Sequence, residues 1–137
     1  MKSGHLLNPN LSADDLSAIE EILRSNEISL VGYDSSTLDE LQPDIDLGIV
    51  ALPLPEGSEP IVNDRVESFV ARGIRVVSIW LRRSDGGLPA IIGDCGSSVV
   101  SIGSSDMAQA LSGDGGEVWE LSSGDERPVQ PTPRNRC

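Results

Sequence analysis

Histidine, lysine and cysteine are scarce in this chain of 137 residues. The single histidine is His5, in a stretch that reads as a loose N-terminus, and the single lysine is Lys2. A Ser-His-Asp or Cys-His centre needs a positioned imidazole, and a zinc hydrolase of the multi-histidine kind needs several ligands. Neither is available. The GxxxxGK[ST] phosphate loop is absent, and with it the lysine such a loop uses. Cys95 and Cys137 form neither a disulfide framework nor a metal-ligand spacing, so Cys95 is expected as a reduced thiol near a strand start. No apolar run approaches membrane-spanning length, and the start MKSGHLLNPN lacks a secretory apolar region; a cytoplasmic protein is the expectation. What is left for chemistry is carboxylates, hydroxyls, amides, arginines and backbone dipoles.

Basic residues as a whole are few. The formal net charge of −12 argues against binding a phosphate backbone, because affinity for nucleic acid comes largely from Lys and Arg. Much of this acidity serves solubility. The basic residues that do occur gather at Arg65, Arg72, Arg75, Arg82 and Arg83, and an anionic ligand would be expected beside them.

What is abundant is the alternation of apolar strands with helical segments. Ile45 to Leu54 and Ile74 to Leu81 are apolar runs too continuous for half-exposed strands, and they suit a parallel sheet covered on both faces. The Gly- and Pro-rich turn and helical stretch between them supply the long crossover that parallel strands need. Ser12 caps a helix running to about Ser25, and Glu27 to Tyr33 and Ser98 to Ile102 read as further strands. A short helical piece spans Thr37 to Leu41, another lies within Leu88 to Ile92, and a third runs from Asp106 to Leu111. Strands at His5 to Leu7 and Glu117 to Leu121 are optional additions. The fold class is α/β: a flavodoxin-like three-layer sandwich with a mostly parallel sheet of four to five strands. The domain covers residues 1–121, followed by a Pro-rich flexible tail over 122–137.

In open parallel sheets ligands bind outside the carboxyl ends of the strands. Three loops meet that condition: Asp34 to Ser36, Pro53 to Asn63 and Arg82 to Gly87. The second runs directly into a helix start, where Pro60 fits the first turn and Asn63 is an alternative cap. Val62, Val66, Phe69 and Val70 face the sheet, Asp64 lies opposite, and Asn63 and Glu67 lie to one side. Glu67 could lean over the cleft and stabilise an oxocarbenium ion, or hold a ribose hydroxyl. Asp64 and Glu67 as solvated acids at the positive end of a helix are the plainer alternative. Asp34 and Ser35 could bind a ribose or simply form a turn. Trp80 belongs to the core. No metal site is expected.

IVALPLP, the Glu56 to Pro60 loop, VNDRVESFVARG and IRVVSIWL together resemble the TIR (Toll/interleukin receptor) superfamily and the related nucleoside deoxyribosyltransferase-like folds, over roughly residues 27 to 112. The resemblance implies a flavodoxin-like fold, with NAD or another nucleotide as substrate or ligand and no bound cofactor. It also implies Glu67 as catalytic carboxylate; by their own positions in the loops and helix start, Asp34, Ser35, Asn63, Asp64 and Arg82 would then surround the substrate. Asn63-Asp64 stands where the family carries Trp-Cys, and Pro53 where it carries Ser. The first expectation is therefore a protein-interaction or nucleotide-recognition module, of the kind found in bacterial phage defence, with a protein partner or self-association. An N-glycosidase acting on NAD is the second, and an acidic inhibitor-like protein binding a basic partner the third.

Overall fold

The computed structural model describes residues 2–114 and 116–125. The chain alternates strand and helix: β1 (Lys2–Leu6), α1 (Ala13–Ser25), β2 (Ile28–Gly32), a 3₁₀ turn (Ser35–Glu40), β3 (Asp46–Leu52), α2 (Glu59–Ala71), β4 (Val76–Trp80), α3 (Ala90–Cys95), β5 (Ser98–Ser101) and α4 (Met107–Ser112). The five strands form one sheet in the order β2-β1-β3-β4-β5, and every pairing is parallel. This is a flavodoxin-like three-layer α/β fold.

Local chemistry explains the helix limits. Ser12 accepts a hydrogen bond from the Asp15 amide at 3.2 Å, which satisfies one of the free donors that open α1. Ser58 precedes α2, with Pro60 in its first turn; the Ser58 hydroxyl donates back to the Pro55 carbonyl at 2.6 Å rather than capping. Gly113 ends α4 with φ of 79°, a left-handed value that glycine adopts at little cost.

Alternate side chains of the strands feed two cores. Leu47, Ile49, Ala51, Val77 and Ile79 pack with Ile19 and Leu23 of α1 and Ala110 and Leu111 of α4. Val50, Leu52, Val76 and Trp80 pack with Val62, Val66 and Phe69 of α2 and Ile92 of α3. The two middle strands carry one glycine for each face. A methyl group at Gly4 would stand 2.9 Å from Leu23, and one at Gly48 would stand 3.0 Å from both Leu7 and Phe69. Each glycine lets a helix side chain settle directly on the sheet.

Three details depart from the sequence expectations. His5 is not in a loose terminus: it lies in β1, between β2 and β3, with its imidazole against the Phe69 ring at 5.6 Å. Residues 117–121 add no sixth strand. Trp119 forms an isolated parallel bridge with Val99, where the Val99 amide donates to the Val118 carbonyl and the Glu120 amide to the Val99 carbonyl. Cys95 is disulfide-bonded, not a reduced thiol; a count of two cysteines carried no pairing signal. Residues 126–137, most of the expected tail, lie outside the described residues. Of the rest, Ser122 is held by Ser84, its hydroxyl accepting from the Ser84 amide at 3.1 Å and donating to the Ser84 carbonyl at 3.2 Å. Among the described residues no helix is long and apolar enough to cross a membrane.

Candidate functional site

Strand order reverses between β1 and β3, and that switch point is where an open α/β sheet offers a crevice at its carboxyl ends. Here the crevice is tied together by the protein's own groups. Asn8, just past β1, is buried and forms both hydrogen bonds with Ala51 of β3, its amide nitrogen donating to the carbonyl at 3.0 Å and its oxygen accepting from the backbone amide at 2.8 Å. The side chain thus continues the ladder where the two strands part. On the α2 side, Arg65 donates to the Leu7 carbonyl at 3.1 Å and lies over the Tyr33 ring at 4.3 Å, a cation–π arrangement. On the α1 side, Arg82 pairs with Asp15 in the first turn of α1.

Open space lies beside the switch point, toward β4 and β5. A cleft of about 440 Å³ is bounded by Pro53, Leu54, Glu59, Trp80 and the 84–90 loop. A second, of about 380 Å³, shares Trp80, Ser84, Gly86, Gly87 and Leu88 with it and adds the 120–123 segment. Glu120, at its wall, is a buried carboxylate that accepts from the Ser101 amide at 2.9 Å and from the Ser104 hydroxyl at 2.8 Å. The Trp80 indole donates to its carbonyl at 3.3 Å.

The residues expected at the site are separated into groups. Asp34 caps the 3₁₀ turn, accepting from the Ser36 amide at 2.9 Å and the Ser36 hydroxyl at 2.7 Å. These bonds, the hydroxyl first, hold its carboxyl below the ordinary value. Ser35 is exposed beside it. Asp64 and Glu67 are exposed on α2, whereas Asn63 is partly buried and its Oδ1 has no hydrogen-bond partner. At about 100° per residue, Glu59, Asn63 and Glu67 share one flank of α2. Arg65 and Arg72 occupy the opposite flank, where they reach Tyr33 and Asp39. Asp34 follows Tyr33 on that side, so Glu67 and Asp34 stand on different sides of the helix.

The five arginines do not form a cluster in space. Arg75 enters the carboxyl end of α4, donating to Ala110 and Leu111 carbonyls at 3.2 and 2.7 Å. Burial lowers its pKa and the charge of Asp114 opposes that shift, leaving a guanidinium that stays charged. Arg75 and Arg82 lie beyond the two ends of β4, seven residues or about 23 Å apart at the rise of an extended chain. Among the described residues, no group of acids, histidines and cysteines could hold a metal ion.

Asn8 and Glu120 carry no site signal in the sequence, and Tyr33 reads only as the end of a strand. Asn8-Pro9 reads as a turn, and its bond to Ala51 spans 43 positions. Arg65 was visible only as one member of the arginine group.

Comparison of the chain with protein-family models, curated proteins and solved structures gives no match.

Proposed function

We propose that this domain is a protein-interaction module that recognises a basic partner. The observation that carries the reading is where the cations go. Arg65, Arg72, Arg75 and Arg82 are each bonded to the chain's own carbonyls or carboxylates. Glu21, Glu27, Asp44, Glu59, Asp64 and Glu67 stand exposed. Apart from the exposed Arg83, the described surface therefore offers negative charge with little positive charge in reach, which speeds and orients encounter with a basic protein.

Affinity capture followed by calorimetry on the purified partner tests this. The expected result is a basic partner whose affinity falls as ionic strength rises from about 0.05 to about 0.5 M, and falls equally for Glu67→Gln. A partner that is not basic, or affinity indifferent to salt, would sink the proposal.

One observation favours a second reading, an N-glycosidase acting on NAD or a related nucleotide. The unpartnered Asn63 Oδ1 lies on the same flank of α2 as Glu67, one turn away, and a ligand hydroxyl or amide could satisfy it. A carboxylate at Glu67 suits the charge of an oxocarbenium ion. The discriminating assay is nicotinamide release from NAD. Release by the native protein that is lost in Glu67→Gln establishes the enzyme reading, and no release with or without the captured partner removes it.

A further inference from the structure

A large cavity lies away from the carboxyl ends of the strands. It occupies about 960 Å³ between the end of α1, the amino ends of β1 to β3 and α4. A second space of about 390 Å³ continues it along α1 toward the loop after β5, and the two share Ser25 and Asn26. The groove exists because the two helices on this face are unequal. α1 has 13 residues and α4 only 6, or about 20 Å against about 9 Å of length. Both pack on the sheet rather than extensively on each other.

The lining is apolar along the middle and acidic along the rim. Ile22 and Met107 line its middle. Ile45 and Ile102, among the most exposed large apolar side chains at 42% and 45%, stand at opposite ends. Glu21, Glu27 and Asp44 border it, and among the described lining residues Lys2 is the one cation. Asp114 lies there too, and faces Arg75.

We propose that the groove between α1 and α4 is the docking site for a basic amphipathic helix of the partner protein. The inference rests on the interaction-module reading and gives it a location. A helix lays an apolar stripe into such a groove, and lysines or arginines flanking the stripe meet the acidic rim. A second copy of this chain is a poor occupant, since its exposed helix faces carry Asp14, Glu20, Glu21, Asp64 and Glu67. An anionic membrane is repelled for the same reason.

The probe is a labelled Leu/Lys peptide of about 14 residues, which spans α1 at about 1.5 Å per residue, with leucines at helical spacing. A peptide of the same composition in shuffled order and a Leu/Glu peptide are the controls. Fluorescence anisotropy is expected to show saturable binding of the striped peptide alone. Ile102→Asp, Ile45→Asp and Asp44→Lys should each weaken it roughly fivefold or more. Because these three side chains are exposed, unchanged thermal unfolding checks that the variants are folded.

Equal binding of striped and shuffled peptides, or groove variants that bind as tightly as the native chain, overturns the groove assignment while leaving a basic partner elsewhere on the surface. Failure of every basic peptide and of partner capture overturns both readings. A dimer in sedimentation that Ile102→Asp dissociates assigns the groove to a second copy and overturns the proposal.

Discussion

The imidazole of His5 on β1 lies 2.8 Å from the carboxylate of Asp46 on β3, and both side chains are largely screened from solvent. Asp46 also accepts from the Gln42 amide at 2.8 Å, so one carboxylate fastens β1, the start of β3 and the turn before it. His5→Ala is expected to lower the unfolding free energy by about 1–3 kcal/mol, the range for a buried group left without its partner. Asp46→Ala should cost more, because two bonds are lost. Urea unfolding of both variants checks the order, and a neutral His5→Ala would show that the contact adds nothing to stability.

Asn8→Ala strands two buried backbone groups of Ala51 at once. At about 1–3 kcal/mol for each unsatisfied group, the loss should be about 2–6 kcal/mol. Asn8→Asp keeps the acceptor but sets a buried carboxylate against the Ala51 carbonyl, so near neutral pH it should cost at least as much as alanine. Amide exchange at Ala51 gives a local readout that global unfolding does not.

Gly48→Ala forces a methyl group against both Leu7 and Phe69. Overpacking of this kind costs about 1–3 kcal/mol. Gly57, whose surroundings are open, should also resist alanine, but through its φ of 81°. Pairing either change with Phe69→Leu separates the causes. The smaller side chain should relieve Gly48→Ala and leave Gly57→Ala untouched.

Asp34 has a carboxyl held below its ordinary value of 3.8 by the Ser36 hydroxyl and amide. A depressed folded-state pKa means stabilisation that is complete above the unfolded value and is lost as pH falls through the folded one. The 3₁₀ turn should therefore loosen only in acid, below the range where free aspartate titrates. Carboxyl chemical shifts of Asp34 across an acid titration measure this, and Ser36→Ala should move the midpoint upward.

The parts of the fold written most clearly in the sequence are those with continuous apolar runs. β3 and β4 are buried along almost their whole length, and the crossover between them needs a helix of the kind that VNDRVESFVARG spells. β1 was faint because Ser3, Gly4 and His5 carry little strand propensity, although the strand sits in the middle of the sheet. Its burial comes from Leu23 descending onto Gly4, a contact across many positions.

The candidate site was harder to see for a related reason. Five arginines close in sequence look like an anion site, yet a helix and a strand separate them and send their side chains to different parts of the molecule. The flank shared by Asn63 and Glu67 follows from helical spacing alone. That Arg65 turns away from it, to Leu7 and Tyr33, depends on how α2 sits on the sheet.

The short contact between residues 118–120 and β5 has a consequence for how partners can approach. Val99 has both its backbone groups engaged there, and the Ser101 amide is taken by the Glu120 side chain. A foreign strand would find no ladder to extend at that end of the sheet. Recognition at β5 by strand addition is closed off, which leaves helix surfaces and loops as the places there where another protein can be read.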